Sequence, residues 1–366
     1  MIICTIATAS ALRGALAIYK QFISHLEKNV GDDKWHVFVD VNMPMPVISN
    51  VEYHICHTKG LGRVMFDIKG FKTYCHESKI VPDVIFSLQN TNVNMRTSRN
   101  VIYYHQSIPL FRYRLSLSDQ NVIGNWVYSY LYPLYVKWFL DSKTFVAVQT
   151  ETIKEMFSKR YNFPYENVGV YFPDIENINL AGISPFQYED KTFNFIYPAM
   201  GASYKEHTTL AYAMRFVRDK EPDLADKIRI HLTIKEYDQK KLWNIINKNE
   251  LVTNFVFHGN VPHEQIMSML KSCNGLLFPS VVETLGLPLL EAASLGAPVI
   301  ANDMGYVHDV LRDYQGLKCV KVHAYNEWAH QIVSCCMGNE RYSPYLVTNN
   351  DSWNRLFRLI REGVVV

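Results

Sequence analysis

Short apolar runs and longer amphipathic stretches alternate along the chain, and that alternation predicts its elements. IICTIA (2–7), WHVFVD (35–40), DVIFSL (83–88), NVIYYH (100–105) and TFVAVQ (144–149) read as strands apolar on both faces. Ala15–Lys28 and Thr150–Arg160 read as helices between them. Around 173–190 the pattern breaks into PDIENINLAGISPFQYED, polar and turn-rich, which predicts an interdomain linker. The alternation then restarts with FNFIYP (193–198), IRIHLTI (228–234), NFVFHG (254–259), GLLFPS (275–280) and APVIAN (297–302). Helices are expected at 206–219, 238–248, 263–272 and 288–296. Such a chain is α/β, with two parallel, doubly wound sheets covered by helices. The expected domains are 1–175 and 191–366, joined by 176–190, with the final helix able to pack back on the first domain. Ligands of these sheets bind beyond the carboxyl ends of the strands, so the cleft between the domains is the expected site.

Composition narrows the function. A chain of 366 residues suits two domains, and 48% hydrophobic with 20% charged residues is that of an ordinary folded protein. A net charge of +2 argues against a dedicated nucleic-acid binder. The seven cysteines are scattered and form no C-x-x-C, which predicts reduced thiols in a cytoplasmic protein. His54, Cys56 and His57, followed by Cys75 and His76, have spacings that fit no zinc finger or ribbon, so no metal is expected. MIICTIATAS lacks the basic start and apolar core of a secretory signal. VIGNWVYSYLYPLYVKWFL (122–140) contains Asn125, Pro133 and Lys137, and its Trp and Tyr content suits a buried or interfacial helix better than a lipid-spanning one. A dinucleotide-binding enzyme would want G-x-G-x-x-G after the first strand. ATASALRGALA offers only Gly14 there.

The sharpest segment is FPSVVETLGLPLLEAASLGAPVIAN (278–302). A buried strand leads into a loop, and Pro288 stands where the first turn of a helix would begin, a position that needs no amide donor. Gly286 lets backbone approach a ligand closely, and a helix start behind such a loop is a phosphate site. Glu283 in the loop and Glu291 in the helix would oppose an anion unless they bond sugar hydroxyls. Phosphates and polyols together describe a sugar nucleotide.

This segment resembles the Glu-x7-Glu signature of family 4 glycosyltransferases, enzymes of the GT-B fold with two Rossmann-like domains facing each other across a cleft. The resemblance implies that Glu283 contacts the donor sugar and Glu291 the ribose. It places the phosphates on the amides around Leu285, Gly286 and Leu287, with Thr284 beside them. Lys205 in FIYPAMGASYKEHTTL (195–210) matches the family's phosphate-binding lysine, while Ala199, Met200 and Ser203 stand where the usual arginine is expected. Tyr-Pro-Ala followed by the Lys and His207, together with SLQNT (87–91), resembles a bacterial subset that assembles surface polysaccharide.

The same resemblance assigns His105 to the donor-facing end of its strand, Gly259 to the nucleotide, and the Ser10–Gly14 loop to the acceptor and diphosphate. Thr150 and Glu151 read as a helix start. Arg112 and Arg114 in FRYRLSLS (111–118), next to the aromatic run, suit anionic lipid or a lipid-diphosphate acceptor. The expectation is a metal-independent, retaining hexosyl-type glycosyltransferase without a cofactor. Its substrates would be a UDP- or GDP-linked sugar and a glycan or lipid-linked glycan, with peripheral contact at the inner membrane. The alternatives are a non-catalytic subunit of the same fold and a nucleotide-sugar epimerase.

Overall fold

Seven strands, β1 (Ile2–Ala7), β2 (Lys34–Val39), β3 (Val51–Ile55), β4 (Val84–Ser87), β5 (Arg99–Tyr103), β6 (Thr144–Val148) and β7 (Val168–Val170), form an all-parallel sheet in the order β3-β2-β1-β4-β5-β6-β7. The computed structural model describes residues 1–9, 13–58, 60–95, 99–111, 122–174, 182–338, 341–345 and 351–365. Ser10–Leu12 of the expected acceptor loop, Arg112 and Arg114, and 175–181 of the expected linker lie outside the described residues.

The sheet's crossover segments carry α1 (Arg13–Asn29), α2 (Leu61–Met65), α3 (Phe71–Glu77), α4 (Val122–Trp126), α5 (Tyr132–Trp138) and α6 (Glu151–Tyr161). A π-helical turn, Phe66–Gly70, joins α2 to α3, and another, Val127–Leu131, joins α4 to α5 just before Pro133. Thr150 is the N-cap of α6, accepting the Ile153 amide at 3.4 Å, as its place ahead of that helix suggests.

A second all-parallel sheet contains β8 (Phe193–Tyr197), β9 (Ile228–Leu232), β10 (Phe255–Phe257), β11 (Gly275–Phe278), β12 (Val299–Asn302) and β13 (Leu317–Val320), in the order β10-β9-β8-β11-β12-β13. Its helices are α7 (His207–Lys220), α8 (Pro222–Ala225), α9 (Lys240–Lys248), α10 (His263–Ser272), α11 (Leu287–Ser294), α12 (Gly305–Leu311) and α13 (Tyr325–Gly338). The strand order reverses between β1 and β4 in one sheet and between β8 and β11 in the other. Each reversal opens a crevice at the strands' carboxyl ends, where doubly wound sheets hold ligands.

The chain divides into two compact units, 1–111 with 127–175 and 348–366, and 112–126 with 176–347. The last helix, α14 (Ser352–Glu362), therefore belongs to the first unit. Its apolar positions Trp353, Leu356, Phe357 and Ile360 recur at helical spacing and are all buried there. Phe357 stacks on Phe22 at 6.0 Å and meets Trp35 edge-on at 5.7 Å. Arg361 closes the helix end by donating from Nε to Asp33 Oδ2 at 2.7 Å. Burial pushes the Asp33 carboxyl up, but Arg361 and the terminal ammonium outweigh it and hold the group below its ordinary range.

Candidate functional site

In the second unit, β8 and β11 end side by side, and their following loops are tied together. Tyr197, the buried last residue of β8, donates its hydroxyl to the Lys205 carbonyl at 2.8 Å. The Val281 amide donates to the Tyr204 carbonyl at 3.1 Å. A 3-10 turn, Ser203–Lys205, then delivers Lys205 just ahead of α7. These ties bring Lys205 Nζ onto Glu283 Oε1 as an ion pair, with side chains only 13% and 16% exposed. At such burial each charge needs the other to offset its lost hydration.

The loop 279–286 is held from below. Val282 and Leu285 are buried, the Tyr306 hydroxyl donates to the Ser280 carbonyl at 2.8 Å, and the Asn302 amide donates to the Pro279 carbonyl. Gly286 closes the loop at φ +74°, in the left-handed region that favours glycine. A Cβ there would lie 3.0 Å from Leu289 Cδ1. Helix α11 starts at Leu287, with Pro288 in its first turn as expected, and its N-cap residue is Gly286, which has no side chain to cap it. Its first amides thus form an anion-attracting end. Thr284 is half-buried and Leu287 exposed beside it.

Glu291, part-buried on α11, accepts from His263 Nε2 at 2.8 Å, so α10 contributes a neighbour that the sequence motif does not contain. Gly259 follows β10 at φ +70°. Lys235 side-chain carbons would lie 3.5–3.6 Å from a Cβ on it. Lys235 itself stands exposed after β9, placing a second cation at the carboxyl end of this sheet. His207 opens α7 fully buried; burial first, and then Lys205, push its imidazole down to about 3. His258 is structural in character, since its Nε2 meets His231 Nδ1 at 2.9 Å.

In the first unit, the residues after β1, β4 and β5 form a buried polar network. Thr8 donates to Gln89 Oε1 at 3.0 Å, and Gln89 Nε2 donates to Asp67 Oδ1 at 3.1 Å. The Tyr135 hydroxyl donates to Asp67 Oδ2 at 2.5 Å. Arg63 donates to the Gln89 carbonyl at 3.0 Å and to Thr91 Oγ1 at 3.2 Å, with Nε 3.8 Å from Asp67 Oδ2. Burial pushes the Asp67 carboxyl up to about 6, with Arg63 the largest opposing influence. His105, two residues past β5, donates its backbone amide to Asn90 Oδ1 at 2.5 Å. Burial and then the Arg63 charge push its imidazole down to about 4, so the ring is neutral at pH 7.

The structure therefore brings Lys205, Glu283, Thr284, Leu285, Gly286, Leu287 and Glu291 into one region of the second unit. Gly14 is different. It belongs to the first unit, in the first turn of α1, where an added Cβ meets nothing within 4 Å among the described residues. Arg63, Asp67 and Tyr135 escape the sequence reading, because they come from separate segments and form no contiguous motif.

Residues 185–342 match the family described as glycosyl transferases group 1. The chain is 22% identical over 218 residues to the O-antigen chain mannosyltransferase RfbU of Salmonella typhimurium (strain LT2), covering 57% of each protein. It spans about half the length of the curated relatives it matches. Among solved structures, it is similar to WaaG, a glycosyltransferase involved in lipopolysaccharide biosynthesis, with TM-score 0.65 at 14% identity, over 99% of this chain and 100% of that one. It is also similar to Anabaena Alr3699/HepE in complex with UDP and glucose, with TM-score 0.63 at 14% identity, over 93% and 90%. These likenesses give the fold, which is GT-B.

Proposed function

We propose that this chain, whose residues 185–342 are of the group 1 glycosyl transferase type, moves a sugar from a nucleotide-sugar donor to a glycan or lipid-linked glycan. The observation that carries the reading is the Lys205–Glu283 pair at the loop that opens, through Gly286, into the start of α11. In this reading the donor's diphosphate competes with Glu283 for Lys205 and lies against the amides of Gly286 and Leu287. Glu283, released from the lysine, bonds the donor's sugar hydroxyls, and Glu291 bonds the ribose. Bond breaking places charge on the departing diphosphate, and a fixed cation with aligned amides stabilises that charge as it forms.

Lys205 and the helix start supply this without a metal ion, and Lys235 is the cation we assign to the place of the family's arginine. The acceptor hydroxyl attacks from the face that the diphosphate leaves, so configuration is retained and no protein nucleophile is required. UDP or GDP carries the sugar; UDP is favoured because the similar HepE structure is a complex with UDP and glucose. The O-antigen and lipopolysaccharide names of RfbU and WaaG favour bacterial surface polysaccharide as the product class.

No helix among the described residues is long and apolar enough to cross a membrane. The stretch 127–138 nonetheless exposes Tyr130, Leu131, Leu134 and Trp138, apolar and amphipathic side chains of the kind that settle at a lipid–water interface. In this reading the protein therefore sits peripherally at the cytoplasmic face of the inner membrane. Leu134→Glu with Trp138→Glu should abolish co-sedimentation with anionic vesicles while nucleotide binding persists; unchanged sedimentation would remove the membrane from the account.

The test of function is transfer of labelled sugar from UDP- and GDP-linked donors to a bacterial lipid-linked acceptor extract, in EDTA. Labelled glycolipid whose new linkage keeps the donor's anomeric configuration is the expected result. Inversion would contradict the mechanism, and no transfer from any donor would contradict the assignment.

A further inference from the structure

Edge strand β3 carries a cluster that sugar transfer does not use. Its Glu52 lies in register with His36 of β2, and its His54 with Phe38, so these side chains share one face of the sheet. His36 Nδ1 is 2.9 Å from His54 Nε2, 3.5 Å from Glu52 Oε2, and Glu52 Oε1 is 3.9 Å from His54 Nε2. We propose that His36, Glu52 and His54 bind one divalent transition-metal ion, zinc foremost, clamping β3 to β2.

Bonds of about 2.0–2.1 Å around tetrahedral zinc put neighbouring ligand atoms about 3.3 Å apart, and the three separations fall on either side of that value. Two imidazole nitrogens and a carboxylate oxygen suit zinc and its first-row neighbours, not magnesium or calcium. The supporting groups are also present. His54 Nδ1 lies 2.9 Å from the Tyr74 hydroxyl of α3, so with Nε2 on a metal its Nδ1–H has an acceptor that fixes the tautomer. The Phe38 ring stacks on His54 at 4.7 Å and sets its plane. Both histidines are buried and Glu52 is exposed, which leaves the carboxylate side as the route of entry. Lys34 Nζ, 3.9 Å from Glu52, sits on an exposed side chain free to move away.

The second unit holds an internal comparison. His231 and His258 lie at the same spacing, 2.9 Å between nitrogens and 5.1 Å between rings, and the second nitrogen of His231 bonds Asn194. Among the described residues no Asp, Glu or Cys joins that pair. A hydrogen bond between a histidine of β9 and the one that follows β10 therefore needs no carboxylate, whereas the first-unit pair has one within reach of both rings.

The experiment uses the untagged full chain, stripped with chelator and dialysed, titrated with Co2+ by visible absorption and with Zn2+ by calorimetry. One zinc per chain with Kd of about 1 μM or tighter is expected. Glu52→Gln and Tyr74→Phe should each weaken it roughly tenfold or more, while His258→Gln leaves it unchanged. The other such cluster among the described residues, Asp303, His308 and Cys319, is exposed to half-buried, and Cys319→Ser should not alter binding. Circular dichroism checks that each variant is folded. Absence of stoichiometric binding, indifference to Glu52→Gln, or loss on Cys319→Ser would each overturn the proposal. Sugar transfer that persists in EDTA is compatible with it, since the cluster belongs to the first unit and Lys205 and Glu283 to the second.

Discussion

Lys205 meets Glu283 because Tyr197 and Val281 stitch two loops together, and neither tie is visible in a motif. Glu283, Gly286, Pro288 and Glu291 are legible in the sequence because they fall in one contiguous strand–loop–helix segment with residue types that only a few functions need. His105 can be located from sequence, but its state cannot. Its neutrality depends on burial and on Arg63, a residue 42 positions earlier that belongs to no motif. If His105 faces the donor as a neutral ring, kcat/KM should show no ionisation from it between pH 6 and 8, and His105→Ala should lower kcat. A pH–rate profile with a step near 6.5 that disappears in His105→Ala would contradict this state.

Among elements, the strands that the apolar pattern misses share a position. β3, β7 and β13 are all at sheet edges, where one flank is unpaired and the burial of successive residues is mixed. VEYHI and LKCV lack the continuous apolar run that marks the interior strands, and β7 is three residues with a central Gly169. The helix α11 start shows the opposite case, a single glycine that sets an element's geometry. Gly286→Ala forces a left-handed backbone and a contact with Leu289, and should cost about 1–2 kcal/mol in urea unfolding while weakening nucleotide binding. No loss of stability would mean that the loop relaxes freely. Truncation of α14's anchor, Phe357→Ala, should cost about 3–5 kcal/mol, because Phe22 and Trp35 lose their packing partner. A cost below about 1 kcal/mol would show that α14 is dispensable to the first unit's core.

Across the whole molecule, buried and half-buried neutral histidines set the response to acid. His207 is pushed down to about 3, and His231 and His105 to about 4, each mainly by burial. With an unfolded value near 6.5, each is unprotonated in the folded chain while the unfolded chain binds a proton. The stability they contribute is complete above pH 6.5 and is lost as pH falls toward 4 and then 3. Each group removes up to about 1.4 kcal/mol per pH unit inside its window. Asp67, pushed up to about 6, acts in the opposite direction between about 4 and 6, but it is one group against these three and against His36, His54 and His258, which burial also pushes down. The urea midpoint should therefore drop between pH 7 and pH 5, and His207→Gln should flatten the drop. An unchanged or higher midpoint at pH 5 would contradict it.

The claim on which the rest depends is that Lys205, Glu291 and the start of α11 hold the donor nucleotide. Calorimetric titration with UDP and with GDP in EDTA tests it most directly, on the natural chain beside Lys205→Ala and Glu291→Ala. One nucleotide should bind without metal, and each variant should lose roughly 1.5–3 kcal/mol, a tenfold or larger fall in affinity. Binding that is equally tight in both variants would contradict the claim, and so would binding that appears only when a divalent metal is restored.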